Sequence, residues 1–192
     1  MQMHSEFGVL DEDEVRRTFE RVWKGPMTAC QRQGGENISG VVVVRMRVGS
    51  SGNIKWAYFK ETNLADRNVE TCMLRAVTGE TWPIPQGGED GIAEQELSFG
   101  DYASRPPIEW NPSKADEVLE SQGQSLRDCR QGATGEFLAS AIVNTDGSVA
   151  SAGVQQPDET TDAAAECMVR VLRESRFPKP GSWPAKITFS IP

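Results

Sequence analysis

Apolar and polar residues alternate most regularly between Gly40 and Val48, where four consecutive valines are followed by Arg45 and Arg47 interleaved with Met46 and Val48. Such a run of β-branched residues with a period of two predicts a strand. The turn residues Ser50-Ser51-Gly52-Asn53 lead into a second predicted strand, Ile54 to Glu61, and the pair reads as a hairpin. The period then changes. Within a helix predicted over Leu64 to Gly79, apolar or small residues fall at Val69, Cys72, Met73, Ala76 and Val77, one stripe down an amphipathic face. Pro83, in the elbow Trp82-Pro83-Ile84-Pro85, stops it. A third strand is predicted over Glu94 to Gly100, with Leu97 and Phe99 facing inward. Ahead of the hairpin, acidic Asp11 to Glu14 suit a helix N-terminus. Val15, Phe19, Val22 and Trp23 continue at helical spacing. Gly25-Pro26 breaks or restarts that helix, with Met27 and Cys30 in its last part.

The long helix and its elbow occur twice. VETCMLRAVTGETWPIP, from Val69 to Pro85, superimposes on AAECMVRVLRESRFPKP, from Ala164 to Pro180, by a shift of 95 residues without a gap. Cys72 falls on Cys167, Met73 on Met168, Arg75 on Arg170 and Trp82-Pro83 on Phe177-Pro178. The rest of the second half replays the order. A helix is predicted over Lys114 to Arg130, with Val118, Leu119, Gln122, Leu126 and Cys129 on one side. Strands Glu136 to Val143 and Val149 to Val154 flank the turn Thr145-Asp146-Gly147-Ser148. The helix Asp158 to Ser175 and a strand Lys186 to Ile191 complete the copy.

An internal repeat of this length predicts two tandem units. The expected class is α+β. Each copy is helix, hairpin, helix, strand, with a three-stranded antiparallel sheet covered by helices on one face. The strand order is second, first, third, which puts the most apolar strand in the centre and leaves the third at an edge. The expected division is a tail over 1–10, a first copy over 11–100, a proline-rich aperiodic linker over 101–112 and a second copy over 113–192.

Composition narrows the function. The 192 residues are 38% hydrophobic and 25% charged, as in ordinary globular proteins. A formal charge of -8 and no basic run argue against nucleic acid as a partner. No apolar run is long enough to span a bilayer, so membrane insertion of this chain is not expected. Met1 to Glu14 has no signal-peptide character, and any targeting or anchoring part is expected to lie outside these residues. His4 is the only histidine, which speaks against zinc and against a Cys-His nucleophile. No catalytic residue, metal or cofactor is expected, and the protein is read as no enzyme.

The four cysteines fall two per copy at matching places, Cys30 with Cys72 and Cys129 with Cys167. Both helices of a copy must cover the same sheet face, which lets the two thiols meet. Disulfides Cys30–Cys72 and Cys129–Cys167 are expected, and with them an oxidising compartment. The alternative is four buried thiols in a cytosolic protein. A thiol oxidoreductase is a poorer fit, because Cys72 and Cys167 lie mid-helix on the apolar stripe rather than in C-x-x-C at a helix start.

Three stretches of each copy carry a resemblance: Gly40 to Gly52, Cys72 to Pro85 and Glu94 to Phe99, then Gly135 to Gly147, Cys167 to Pro180 and Ala185 to Ile191. The order hairpin, helix, aromatic-proline elbow, strand resembles the C-terminal domain of TonB. The paired cysteines and the elbow resemble the AgmX/PglI C-terminal type of that fold. The resemblance implies a bacterial cell-envelope protein in the periplasm or on the cell surface, without chemistry of its own. It further implies a place in a gliding-motility or envelope-spanning transport complex, with a partner gripped by strand addition at a sheet edge. Two tandem copies without a proline-rich spacer depart from TonB.

The candidate partner-binding edges are Glu94, Gln95, Glu96, Leu97, Ser98 and Phe99 in the first copy, and Lys186, Ile187, Thr188, Phe189 and Ser190 in the second. The partner would be an envelope protein or an extended peptide segment, or a second copy of the chain in a homodimer. Against this stands the reading that one edge is covered by the other copy or by the linker, with Glu94, Glu96 and Lys186 acting as charged gatekeepers. A purely structural tandem of a surface lipoprotein is the remaining alternative. Among the aromatics, Trp56 and Tyr58 are expected on the helix-covered face, Trp110 in the seam between the copies, and Trp82 and Phe177 in the cores.

Overall fold

The computed structural model describes residues 7–34, 38–99 and 106–192. It is a mixed α+β structure with two sheets. The chain begins with helix α1 (Glu12–Val22), capped by the Asp11 carboxylate accepting from Glu14 N at 2.9 Å. Gly25-Pro26 does not break it. A π turn over Trp23–Met27 carries the helix on into α2 (Thr28–Gln33). The buried positions explain the wider turn. Val15, Phe19 and Val22 face the core at ordinary helical spacing, but the next buried residue, Met27, comes five residues later. One extra residue in the turn keeps Met27 and Cys30 on the same side. Thr28 Oγ1 donates to the Trp23 carbonyl at 2.6 Å, which satisfies an acceptor at the widened turn.

Strands β1 (Gly40–Val48) and β2 (Ile54–Thr62) form the first hairpin, helix α3 (Arg67–Thr78) follows, and β3 (Gly91–Phe99) closes the unit. All pairing is antiparallel in the order β2-β1-β3. Val42, Val44, Met46 and Val48 turn toward the helices and meet Phe19, Val22, Met27, Val69, Met73, Val77 and Trp82 in one core.

The second half has helix α4 (Asp116–Cys129), strands β5 (Phe137–Val143) and β6 (Val149–Gln155), helix α5 (Asp162–Glu174) and strand β7 (Ala185–Ile191). Its core gathers Val118, Leu126, Phe137, Ala139, Met168, Leu172, Phe177 and Ile187. The element order of the first half is repeated, and the equivalent strands pair as β6-β5-β7.

Further expectations are corrected. Residues 7–10 are not a free tail: Gly8 N donates to Asp90 O, and Val9 and Gln86 exchange backbone hydrogen bonds at 3.0 and 2.8 Å. Residues 1–6 of the expected tail lie outside the described residues. The segment expected as linker contains a strand, β4 (Ile108–Trp110), which joins the second sheet parallel to β7 and makes the order β4-β7-β5-β6. Residues 101–105 are outside the description. Trp110 packs on the second core.

Finally, Trp56 and Tyr58 lie on the face away from the helices. They pair with Arg47 and Arg45, whereas Ala57 and Phe59 pair with the inward Met46 and Val44. An irregularity in the ladder between Val43 and Val44 lets both Phe59 and Thr62 turn inward.

The two units do not use their outer sheet faces alike. In the first sheet that face carries Arg45, Arg47, Trp56 and Glu94, all at least partly exposed, and only Tyr58 on it is buried among the residues of β2 that pair with Arg45 and Arg47. In the second sheet it carries Ser140, Ile142, Gly153 and Lys186, all buried, beside the half-buried Ser151 and Thr188. Contacts from Lys186 to Ser39, from Gln155 to Thr62 and from Gly153 to Glu70 show that the first unit covers it.

Candidate functional site

Each unit is stapled between its two helices. Cys30 of α2 bonds Cys72 of α3, and Cys129 at the end of α4 bonds Cys167 of α5, with Cα–Cα distances of 5.7 and 5.4 Å. The free-thiol alternative is set aside, since no cysteine among the described residues is free. Two such bonds fit an oxidising, extracytoplasmic compartment. Among the described residues no helix is long and apolar enough to cross a membrane.

Among the described residues strand β3 hydrogen-bonds to a neighbouring strand on one side only, so its far side is a sheet edge there. Along it Glu94, Glu96 and Ser98 are exposed on the face away from the helices. Leu97 and Phe99 face the helices, where Phe99 meets Trp23 at 4.5 Å between ring centroids. Glu94 is already engaged, with Arg45 Nη1 at 3.2 Å and Lys60 Nζ at 3.0 Å. Two cations, Lys60 of β2 and Arg45 of β1, thus meet the one carboxylate of Glu94 on β3. The Gln95 amide Nε2 donates to the Glu96 carbonyl at 2.9 Å.

Strand β7 differs. β4 runs beside Ala185, Lys186 and Ile187, and Ile108 N donates to Pro184 O at 3.0 Å. Lys186 and Ile187, expected on an open edge, are thus interior to the sheet. Thr188, Phe189 and Ser190 run beyond the end of β4. Lys186 guards no edge either, because it is 4% exposed and its ammonium donates to Ser39 O at 2.8 Å across the junction. Burial lowers its affinity for a proton, and Glu109 beside it on β4 works the other way.

The junction between the units holds two charged residues that the repeat pattern did not single out. Arg67, at the first turn of α3, donates from Nε to Glu166 Oε1 at 2.6 Å and from Nη2 to Asp162 Oδ1, both on α5. Its burial opposes the charge, but the bond to Glu166 and the charges of Asp162 and Glu70 outweigh it and raise the pKa. Glu70, one turn further along, is fully buried and accepts from Thr62 Oγ1 at 2.7 Å. One sequence signal pointed here. Gly153 stands mid-strand where the hairpin register of the first copy has Tyr58, and glycine inside a strand marks a close backbone approach.

A cleft of about 420 Å³ lies beside Arg67 and Glu166, lined by Gln33, Thr71, Cys72 and Arg75. On the other flank a smaller one, about 270 Å³, is bounded by Leu74, Gln156 and Glu159. Among the described residues no group of three or more His, Cys, Asp or Glu side chains is placed to hold a metal ion. No protein-family model, no curated protein and no solved structure matches this chain.

Proposed function

We propose that the protein is a non-enzymatic interaction module of the bacterial cell envelope that takes an extended segment of a partner protein along the outer edge of β3. The open edge itself is the observation that supports this most directly. It presents a row of backbone donors and acceptors with no strand opposite among the described residues. The two disulfides and the resemblance to the TonB and AgmX/PglI C-terminal domains favour the periplasm or the cell surface, within a motility or envelope-spanning transport assembly.

The side chains beside the edge select the partner. Glu94 and Glu96 point to the same face, and oppositely charged neighbours across strands contribute roughly 0.2–1 kcal/mol each. A segment with Lys or Arg at alternate positions and apolar residues between them extends the sign alternation that Arg45 and Glu94 begin. A second copy of β3 fits poorly in the register centred on Gln95. Antiparallel self-pairing centred on Gln95 sets Glu94 against Glu96, and like charges directly opposite are destabilising.

The test is an amide-shift titration with a peptide of alternating lysine and valine. Shifts confined to β3 and its flanks, lost on Glu94→Lys/Glu96→Lys and lost when the peptide is N-methylated along its binding edge, support the proposal. Shifts mapping elsewhere, or none at all, refute it.

A further inference from the structure

Glu70 has the least satisfied polar group at the junction of the two units. Its Oε1 accepts from Thr62 of β2, while Oε2 has no hydrogen-bond partner among the described residues. On α3 itself, Arg67 Nη1 lies 3.9 Å from Oε2, because Nε and Nη2 of the same guanidinium are held by Glu166 and Asp162 of α5. Asp66 adds a further negative charge nearby, its carboxylate accepting from the amides of Asn68 and Val69. From β6 the neighbour is the backbone at Gly153, so close that a methyl group there would lie 2.6 Å from Glu70 Oε1. β6 carries no ionisable side chain, and the buried ammonium of β7, Lys186, donates to Ser39 O. One guanidinium thus serves three carboxylates, and the buried one is served least.

We propose that Glu70 is a proton-operated latch between the two units: while its carboxyl is neutral, the outer face of the second sheet stays seated on α3 and β2, and loss of the proton loosens that seat. The geometry supplies the reason. A charged carboxylate in this position has one hydrogen bond and a distant share of one arginine, and an ill-paired buried charge is costly. Burial, opposed by the Thr62 bond and by Arg67 and reinforced by Asp66 and Glu166, pushes the carboxyl from 4.5 up to about 7.

The sign follows. The seated state holds the proton more tightly than the separated one, where Glu70 meets water and titrates as an ordinary glutamate. Seating is therefore strongest below the ordinary glutamate range and weakens as pH rises through about 7. Loosening also releases Thr62 N from Gln155 Oε1 at the place where the outer strands β2 and β6 meet. Two further strand edges then become accessible, a consequence independent of what binds β3.

Thr62 N donates across the junction, so its hydrogen exchange reads the seat directly. Exchange is followed by NMR on the whole protein at about pH 5.5 and about pH 8.5, corrected for intrinsic rates, with a central β1 amide as control. Thr62 protection is expected to fall on the order of tenfold or more in the wild type, with the control unchanged, and to stay level in Glu70→Gln. Equal protection at both pH values, or an equal fall in Glu70→Gln, overturns the proposal. A carbon-13 titration of the wild-type Glu70 carboxyl does not depend on whether the variant folds. A midpoint near 7 supports the latch, and one in the ordinary glutamate range overturns it.

Discussion

The backbone N–H of Trp82 donates to the carbonyl oxygen of Gly52 at 2.9 Å, tying the elbow after α3 to the turn of the first hairpin. The second unit repeats the bond from Phe177 to Gly147 at 2.9 Å. Both glycines have positive φ, +81° and +86°, and both are pressed against the carbonyl of the aromatic residue that bonds to them. A Cβ at Gly52 would lie 2.5 Å from Trp82 O.

Gly52→Ala and Gly147→Ala are accordingly expected to destabilise the protein by about 2–3 kcal/mol each, combining left-handed strain with a clash against backbone. Gly87 provides the comparison. Its φ is +100°, yet none of the described residues lies within 4 Å of a Cβ built there. Gly87→Ala should cost only the strain, about 1 kcal/mol. Urea unfolding of the three variants checks this, and equal losses at all three positions would show that the elbow contact contributes nothing.

Separate stapling of the units makes the disulfides separable too. The bonds close separations of 42 and 38 residues, for which the chain-entropy estimate is about 4 kcal/mol of stabilisation each. Replacing Cys30 and Cys72 together by alanine should lower the denaturant midpoint of the first unit while Cys129 and Cys167 stay oxidised. Alkylation in denaturant followed by intact mass verifies the starting state. Any thiol labelled without reduction contradicts the pairing.

Asp90 sets an acid limit. It accepts from Lys55 at 2.9 Å and from Arg47 at 2.7 Å, fastening both strands of the first hairpin to the start of β3. The bond from Lys55, then that from Arg47, holds its pKa below the ordinary aspartate value of 3.8. A lowered carboxylate pKa contributes stability that is present above the unfolded value and is lost as pH falls through the folded one. The stability gap between wild type and Asp90→Asn should therefore be steady near neutrality and close below about pH 4. A gap that persists unchanged in acid would assign the effect to something other than charge.

What the sequence revealed follows from the range of each interaction. β1 and α3 were legible because their periods, two and three to four, are local consequences of one buried face. The cysteine pairing was legible because the repeat supplies each helix pair twice. Tyr58 was misread because two apolar neighbours, Tyr58 and Phe59, give no parity, and its burial comes with the second unit; Asp158 and Glu159 are near enough to act on its hydroxyl. β4 was missed because three residues carry no period, and their parallel partner lies about eighty positions away. Glu70 and Arg67 read as ordinary polar positions on an amphipathic helix. Only the docking of a second sheet, which no pattern within α3 encodes, buries them.

The π turn allows a test of the same kind of local logic. Val22 and Met27 are both fully buried, five residues apart, and the wider turn over Trp23–Met27 absorbs the surplus residue. Removing one residue there should restore a spacing of four and a continuous α-helical face. Pro26 would then sit inside a regular helix at a cost of about 3 kcal/mol, so it must be replaced as well. Deletion of Gly25 combined with Pro26→Ala is expected to fold, keep the Cys30–Cys72 bond and change stability by no more than about 1 kcal/mol. Deletion of Arg17 in α1 instead rotates Val15 away from Phe19 and Val22 and should cost several times more. Thermal unfolding and thiol labelling of the two deletions decide the matter. If the Gly25 deletion is as damaging as that of Arg17, the extra residue serves a purpose other than phase.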